Sequence, residues 1–352
     1  MLPTITINNR VIGRHHPTYI IAELSANHGG SFETAVQLIH AAARAGVDAV
    51  KLQTYTADTM TLPSQAPSFR HRKTSLWAHR TLHELYLEAA TPWEWHPKLQ
   101  HIAHGLGMTL FSSPFDATAV DFLESMNVPA YKIASFELID IPLLRRVATT
   151  GKPVILSTGM ATVAEIDEAV RTLRYSGTGD IALLKCVSAY PASAEEMNLA
   201  TLPHMAQLFR CPVGISDHSL NLAIPVAATA LGGSIIEKHL TLSRTTPTPD
   251  AGFSLEPDDF AAMVREVRST EKAIGDVVYG PGASEEESIG FRRSLYITRD
   301  LIAGERLDQS NCRSIRPGGG LPPANLAVVL GKRINRDVSA GTPLCWSLLL
   351  DE

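Results

Sequence analysis

The sequence predicts an α/β fold: a (β/α)8 barrel followed by a small domain of short strands. Three observations carry this. Apolar β-type runs alternate with helical runs eight times within roughly the first 275 residues, near the size expected of such a barrel. Every one of those β-type runs ends in, or just before, a polar residue. Beyond about Arg293 the texture changes to short β-type runs between turn signals. A doubly wound open sheet is the alternative, but no Gly-x-Gly-x-x-Gly turn follows the first strand, only Gly29-Gly30.

In order, residues up to about Pro17 read as a leading strand or hairpin. Residues 19–24 form a buried-strand pattern with Glu23 near its end. The loop Ser25-Ala-Asn-His-Gly-Gly follows, then an amphipathic helix, Phe32–Ala45, closed by Gly46. Residues 49–53 are the next strand, with Lys51 and Gln53 on one face. Residues 56–80 are irregular and too long for a simple connection, which marks them as functional. Thr91-Pro-Trp-Glu-Trp opens a helix. Strand 109–112 runs into Ser113-Pro-Phe, before helix Ala117–Ser125. Strand 130–134 contains Lys132, with Ser135 and Glu137 just beyond, before helix 141–149. Strand 153–157 ends in Thr158-Gly159-Met160, before helix 163–174. Strand 181–187 runs into Ser188-Ala-Tyr190-Pro, before helix 199–209. Strands 213–218 and 234–239 flank helix 222–231, and Pro257–Ile274 closes the series.

The expected domains are 1–275 for the barrel, 276–292 for a linker and 293–352 for the small domain. The linker shows Gly280-Pro281-Gly282 followed by Glu285-Glu286-Glu287. In the small domain, Ser294–Ile297 and residues 331–334 are β-type runs. Residues 313–320 read as a basic, glycine-rich loop presenting Arg316 to an anionic or polar ligand.

Composition narrows the function. At 45% hydrophobic and 19% charged residues the chain is globular, and no run is long enough to span a bilayer. No signal-peptide pattern opens the sequence, so the cytoplasm is expected. The four cysteines, Cys186, Cys211, Cys312 and Cys345, include no Cys-x-x-Cys pair, which argues against a disulfide framework or structural zinc. A net charge of −5 argues against nucleic-acid binding. It leaves an anionic small substrate open, because local lysines decide that.

The strand ends carry the chemistry. Ser216 and His218 share one face of their strand, and Glu237 and His239 share one face of the next. As parallel neighbours these four groups converge at C-terminal strand ends, where such folds place their sites. Two imidazoles with oxygen ligands suit a divalent transition metal such as Mn, Zn or Fe. Capping of a strand explains either histidine alone, but not both at equivalent places. Lys51 and Lys132 lie within strands, where an unpaired charge is costly. With the serines of the rim they form a cradle for a phosphate and a carboxylate, although any single serine there can equally cap a helix. Lys185 and Lys238 have the opposite parity and are left out.

Several motifs resemble the sialic acid synthase family. They are Ile-Ala-Glu-Leu-Ser-Ala-Asn-His, Lys51-Leu-Gln-Thr-Tyr, Phe111-Ser-Ser-Pro-Phe, Tyr131-Lys-Ile-Ala-Ser-Phe-Glu, Leu156-Ser-Thr-Gly-Met, Ser188-Ala-Tyr-Pro, Gly214-Ile-Ser-Asp-His-Ser and Ile236-Glu-Lys-His. The tail resembles the antifreeze-like (SAF) domain fused to those enzymes, so the resemblance spans essentially the whole chain. Within the family, Glu23-Leu-Ser-Ala-Asn-His, Ala134-Ser-Phe-Glu, Lys185-Cys-Val-Ser-Ala-Tyr-Pro, Phe253-Ser-Leu-Glu-Pro and Leu76-Trp…Leu85-Tyr…Trp93-Glu-Trp-His resemble the pseudaminic acid branch. Neuraminate synthases usually show Asn where Ser188 stands.

The resemblance implies condensation of phosphoenolpyruvate with an open-chain amino-sugar aldehyde, for this branch 2,4-diacetamido-2,4,6-trideoxy-altrose. It implies that Lys51, Ser113, Lys132, Ser135, Ser157, Ser188 and Ser216 hold phosphoenolpyruvate. His218 and His239 would hold the metal, Mn²⁺ with Mg²⁺ or Co²⁺ as alternatives. Gln53, Glu137, Tyr190 and Asp250 would face the sugar. Glu23 and Glu237 would manage the attacking water and its proton, and Glu137 would assist ring opening or protonate the new hydroxyl. A domain-swapped homodimer is implied, in which Arg316 serves the partner's site. Phe136 and Phe253 could wall the sugar's methyl group. Three alternatives stand beside this reading. One is a family member acting on N-acetylmannosamine or the legionaminic acid precursor. The others are a non-catalytic saccharide-binding protein and a Schiff-base aldolase using Lys132 or Lys51.

Overall fold

Period-two alternation decides the architecture. In the computed structural model, which describes residues 3–70, 77–78 and 80–350, eight parallel strands close into a barrel. A short antiparallel hairpin precedes them, β1 (Thr4–Ile7) and β2 (Arg10–Gly13). The barrel strands are β3 (Tyr19–Glu23), β4 (Ala49–Thr54), β5 (Thr109–Pro114), β6 (Tyr131–Ile133), β7 (Val154–Ser157), β8 (Ile181–Cys186), β9 (Val213–Asp217) and β10 (Ile235–His239). They neighbour one another in chain order, and β10 pairs back onto β3. Leu76, in the motif noted above, lies outside the described residues, as do 71–75 and 79 of the long connection after β4.

Residues of one parity face the helices. Ile20, Ala22, Val50, Leu52, Leu110 and Ile133 belong to the large apolar cluster shared with the helical layer. The helices that follow the strands are Phe32–Ala45, His96–Gly105, Ala117–Ser125, Ile141–Ala148, Val163–Ser176, Thr201–Phe209, Ala223–Ala230 and Pro257–Ile274. In the first of these, Ala35, Leu38, Ile39 and Ala42 recur at helical spacing and are buried. Ser31 caps its start, accepting from Thr34 N–H, and Gly46 ends it at φ 81°. Thr162 and Glu165 form a reciprocal capping box at the start of Val163–Ser176.

Residues of the other parity point into the barrel, where they form two layers. The lower layer is apolar: Tyr19, Ile21, Phe111, Ile155 and Leu184 pack with Ile5, Ile7 and Ile12 of the hairpin. The hairpin therefore closes the N-terminal end of the barrel. Each of its three buried isoleucines contributes about 1.5–3 kcal/mol. Arg10 pairs with Asp48, whose other oxygen accepts from Ile20 N–H at 2.8 Å and Arg268 at 2.9 Å. The upper layer is polar and is described below.

The chain divides into two compact units, Met1–Gly275 and Asp276–Glu352. The second opens with a turn, Ala283–Glu285, and a short helix, Glu286–Ile289. Its small sheet pairs β11 (Ser294–Ile297) with β12 (Cys312–Ile315), antiparallel. This corrects the sequence reading at two places. Arg313-Ser-Ile is strand, and the glycine-rich loop starts only at Arg316. Residues 331–334 form no strand; Arg333 and Ile334 make isolated bridges to Arg306 and Leu349. Gly331 sits at φ 89°, which breaks the extended run, and the residues after it bond two different partners. Leu295, Ile297, Leu301, Leu307 and Leu344 form this unit's core. Among the described residues no helix is long and apolar enough to cross a membrane.

Candidate active site

The polar upper layer is built by register. Parallel pairing sets Glu23 beside Lys51, Gln53 beside Ser113, Glu237 beside Ser216 and His239 beside Glu23. Lys51 Nζ lies 2.6 Å from Glu23 Oε2 and 3.4 Å from Glu237 Oε1. Lys132 Nζ lies 3.6 Å from the same Glu237 oxygen, and Ser216 Oγ donates to it at 3.1 Å. Lys51 also donates to Ser113 Oγ at 3.2 Å, and Lys132 to Ser157 Oγ at 2.6 Å. All of these groups are buried. Charges taken out of water this completely persist only when paired.

The electrostatics follow. Burial alone would lower Lys51, but the carboxylates of Glu23 and Glu237 outweigh it and hold the ammonium above its ordinary value. Burial lowers Lys132. Burial pushes Glu23 up to about 7 against the pull of Lys51. Glu237 feels the same burial, but the two lysines hold it below the usual carboxylate range. One carboxylate is thus fixed as an anion while its neighbour titrates near neutrality.

His218 and His239 stand at one side of this layer, their ring centroids 5.4 Å apart. Gly214 lets their strands approach: a Cβ there would sit 2.1 Å from the Ile235 carbonyl oxygen. On the outer side, Lys238 Nζ lies 2.5 Å from both Asp217 Oδ2 and the Ser219 carbonyl, fully buried. Asp217 Oδ1 accepts from Ser219 N–H at 2.8 Å. This pair fixes the turn that carries His218. His218 Nδ1 meets the Val187 carbonyl at 2.9 Å, which as a donor leaves Nε2 with its lone pair free. Among the described residues the buried His239 Nδ1 has no hydrogen-bond partner, and it lies 4.0 Å from Asp250 Oδ2. Burial, then the nearby cationic groups, hold His239 well below its ordinary value, so it is neutral, the form that ligates metals. Two available imidazole nitrogens in a buried polar layer fit a divalent cation whose remaining ligands are substrate or water. Among the described residues no group of three or more His, Cys, Asp and Glu side chains has metal-binding geometry. Tyr190 and Phe253 pack beside the pair: Phe253 lies 4.9 Å from both His239 and Tyr190, and Tyr190 lies 4.5 Å from His218.

A third group sits across the barrel mouth. Gly159 N–H donates to Ser135 Oγ at 3.0 Å. A Cβ at Gly159 would lie 2.3 Å from Ser188 Oγ and 2.7 Å from Ser135 Oγ, so glycine lets both hydroxyls sit against this residue. Glu137, in the turn Ser135–Ile139, keeps a buried Oε2 that has no hydrogen-bond partner among the described residues. Burial raises its carboxyl to about 7. The folded state keeps this proton above pH 4.5 while the unfolded state loses it. Stability therefore falls as pH rises from about 4.5 to 7. Glu137→Gln is expected to abolish this fall, gaining on wild type by on the order of 2 kcal/mol between pH 4 and pH 8. Denaturant melts of both proteins at the two pH values measure it.

One hydrogen-bonded chain joins the loops to the layer. Ser25 Oγ donates to Asp250 Oδ2, which also accepts from Ala26 N–H at 3.3 Å. Gln53 Nε2 donates to Ser25 Oγ at 2.9 Å and to Glu23 Oε1 at 3.2 Å. Asn27 ties the same loops, donating to the Leu240 carbonyl and Ser254 Oγ and accepting from Thr248 Oγ1.

The barrel thus brings together Glu23, Lys51, Gln53, Ser113, Lys132, Ser157, Ser216 and Glu237 in one bonded network. His218, His239, Tyr190 and Asp250 lie beside it, and Ser135 and Ser188 meet at Gly159. Arg316 belongs to the second unit, exposed at the head of a loop pinned by Ser294 and Tyr296, which bond the Pro317, Gly318 and Gly320 backbone. Of the two expected wall residues, Phe253 is buried against the histidines, whereas Phe136 is 58% exposed. Sequence reading missed Ser25, Gly159 and Cys186. Cys186 Sγ lies 3.9 Å from His218 Nδ1; burial raises the thiol, but His218 draws it down to about 7.

Comparison with known proteins places the chain in a family. The NeuB family model matches residues 38–279 and the SAF domain model matches 292–350. The chain is 42% identical over 330 residues to the pseudaminic acid synthase of Helicobacter pylori, covering 93% of this chain and 96% of that one. It is 34% identical to the N,N'-diacetyllegionaminic acid synthase of Legionella pneumophila, covering 93% of each. The crystal structure of the N-acetylneuraminic acid (sialic acid) synthetase from Leptospira borgpetersenii serovar Hardjo-bovis, in complex with citrate, matches with a TM-score of 0.73 at 33% identity. That match covers 82% of this chain and 96% of the synthetase.

Proposed function

The chain belongs to the NeuB family, with a SAF domain following the barrel in sequence, and from that premise we infer a phosphoenolpyruvate-dependent sugar-acid synthase. Its reaction joins phosphoenolpyruvate, 2,4-diacetamido-2,4,6-trideoxy-L-altrose and water to give pseudaminic acid and phosphate. The observation that supports it most is the pair of buried lysines sharing Glu237 Oε1, two cations ready for an anion. Identities of 42–43% to pseudaminic acid synthases favour this sugar.

In this reading Lys51 and Lys132 neutralise the phosphate and carboxylate of phosphoenolpyruvate. Ser113, Ser157 and Ser216 donate to the same oxygens, as do Ser135 and Ser188 beside the Gly159 N–H. Gln53, Glu137, Tyr190 and Asp250 face the open-chain sugar. C3 of phosphoenolpyruvate attacks the aldehyde carbon, and its π electrons form the new carbon–carbon bond. Water adds to the cationic C2, losing a proton to a carboxylate of the layer. The C2–O bond to phosphate then breaks, the C2 hydroxyl passes its proton to the departing phosphate, and the ketone forms. Glu23, which titrates near neutrality, suits the proton from water; Glu237 stays anionic beside the developing charge at C2. Glu137 supplies the proton of the new hydroxyl. A divalent cation on His218 and His239, Mn²⁺ by preference, supplies Lewis-acid polarisation of the aldehyde oxygen when bound. Arg316 serves the site of a second copy in a domain-swapped homodimer, and the enzyme works in the cytoplasm.

The test is phosphate release from phosphoenolpyruvate with Mn²⁺, offering the diacetamido-altrose and N-acetylmannosamine separately. Turnover with the first alone is expected. Turnover with only the second would keep the fold and chemistry and overturn the sugar.

A further inference from the structure

Ser25 is a buried residue, 3% exposed, held at φ 43°. That left-handed conformation disfavours any residue but glycine, and non-glycine residues held there cluster at functional sites. Serine at this position therefore has a task glycine could not perform, and that task is its hydroxyl. Ser25 Oγ gives its proton to Asp250 Oδ2, so it can only accept from Gln53. Gln53 consequently turns its amide nitrogen inward and spends both protons, on Ser25 and Glu23. Its carbonyl oxygen is left outward. Asp250 has Oδ2 engaged by Ser25 and Ala26; among the described residues its Oδ1 accepts no hydrogen bond. Gln53 is partly exposed and the Asp250 side chain keeps 13% of its surface exposed, which leaves both in reach of a ligand.

We propose that Ser25 is a positioning residue that fixes sugar specificity, by making Gln53 and Asp250 present hydrogen-bond acceptors only. Such a pocket selects an open-chain sugar that offers donors at both places, and an acetamido N–H is a donor that cannot reverse its role. A hydroxyl can serve either polarity and gains less from the fixed arrangement. Without the Ser25 hydroxyl, Gln53 keeps only its bond to Glu23 and Asp250 loses its Ser25 donor, so both acceptors are held less firmly and the pocket's preference weakens. The proposal rests on the synthase reading given above.

The experiment uses full-length wild type, Ser25→Ala and Ser25→Gly, with phosphate release measured against each sugar and against phosphoenolpyruvate. Both variants are expected to raise KM for the diacetamido sugar about tenfold. The KM for phosphoenolpyruvate should stay within about twofold, because Lys51 and Lys132 lie outside the Ser25 bonds. The preference for the diacetamido sugar over N-acetylmannosamine should fall about tenfold. Ser25→Gly relieves the backbone and is expected to keep or raise Tm, so lost specificity in that variant is not lost folding. Unchanged sugar KM in both variants, or an equal rise in the KM for phosphoenolpyruvate, would overturn the role of Ser25. Failure of wild type to use the diacetamido sugar would instead overturn the synthase reading, and is visible before any variant is compared.

Discussion

Glu237→Gln is expected to lower turnover by about 10³-fold while tightening the hold on inorganic phosphate about tenfold. The two effects have one cause. Glu237 Oε1 is shared by Ser216, Lys51 and Lys132, and the lysines keep it anionic. Glutamine keeps the shape and a hydrogen-bond acceptor but removes the charge. Lys51 retains Glu23 at 2.6 Å, whereas Lys132 is left with the Ser157 hydroxyl and the Ile133 carbonyl. A buried ammonium without its carboxylate costs about 3–5 kcal/mol, and an added phosphate restores part of it. The free variant should therefore unfold earlier in denaturant than wild type and gain more from phosphate. Titration calorimetry with phosphate and a turnover assay read both arms. Weaker phosphate binding in the variant would show that Glu237 organises the lysines rather than competing with the anion.

The second large effect concerns the histidines. His239→Ala is expected to lose bound Mn²⁺, with affinity down by more than about 100-fold, and turnover with it. His239 offers a buried, neutral imidazole whose Nδ1 has no hydrogen bond among the described residues, an arrangement that is costly unless a ligand uses it. Elemental analysis after gel filtration separates metal loss from unfolding. Stoichiometric manganese in a folded His239→Ala protein would remove this residue from the metal site. Removal of metal from wild type by a chelator should match the variant's turnover and be reversed by added Mn²⁺, whereas the variant should stay inactive.

Much of this was legible in the chain because burial is selective. Lys51, Lys132 and Glu237 stand inside apolar runs, where an unpaired charge is prohibitive, so their presence announces partners. Period-two parity then tells which face they share. It correctly set aside Lys238, which pairs with Asp217 on the outer side, although it gave no hint of that pair's task in fixing the His218 turn. The Ser25 chain was illegible for a different reason. Its partner Asp250 lies 225 positions away, and a positive φ at a serine leaves no mark in composition or period. Gly159 looked like an ordinary turn glycine; its need arises only where two hydroxyls from separate loops meet. In the small unit, β12 was read as loop because Arg313-Ser-Ile precedes a run of glycines, and local texture outweighed a pairing partner 15 or more residues upstream.

The hairpin that plugs the lower barrel has a consequence for traffic. With Ile5, Ile7 and Ile12 filling that end, the described residues leave the polar layer to be reached from the C-terminal ends of the strands. Lys51, Lys132 and Ser113 lie deeper, buried, whereas Gln53, Tyr190 and Asp250 are partly exposed. On the proposed reading the anion is expected to enter first and the sugar second, and phosphate is expected to leave after the product; product-inhibition kinetics measure that order.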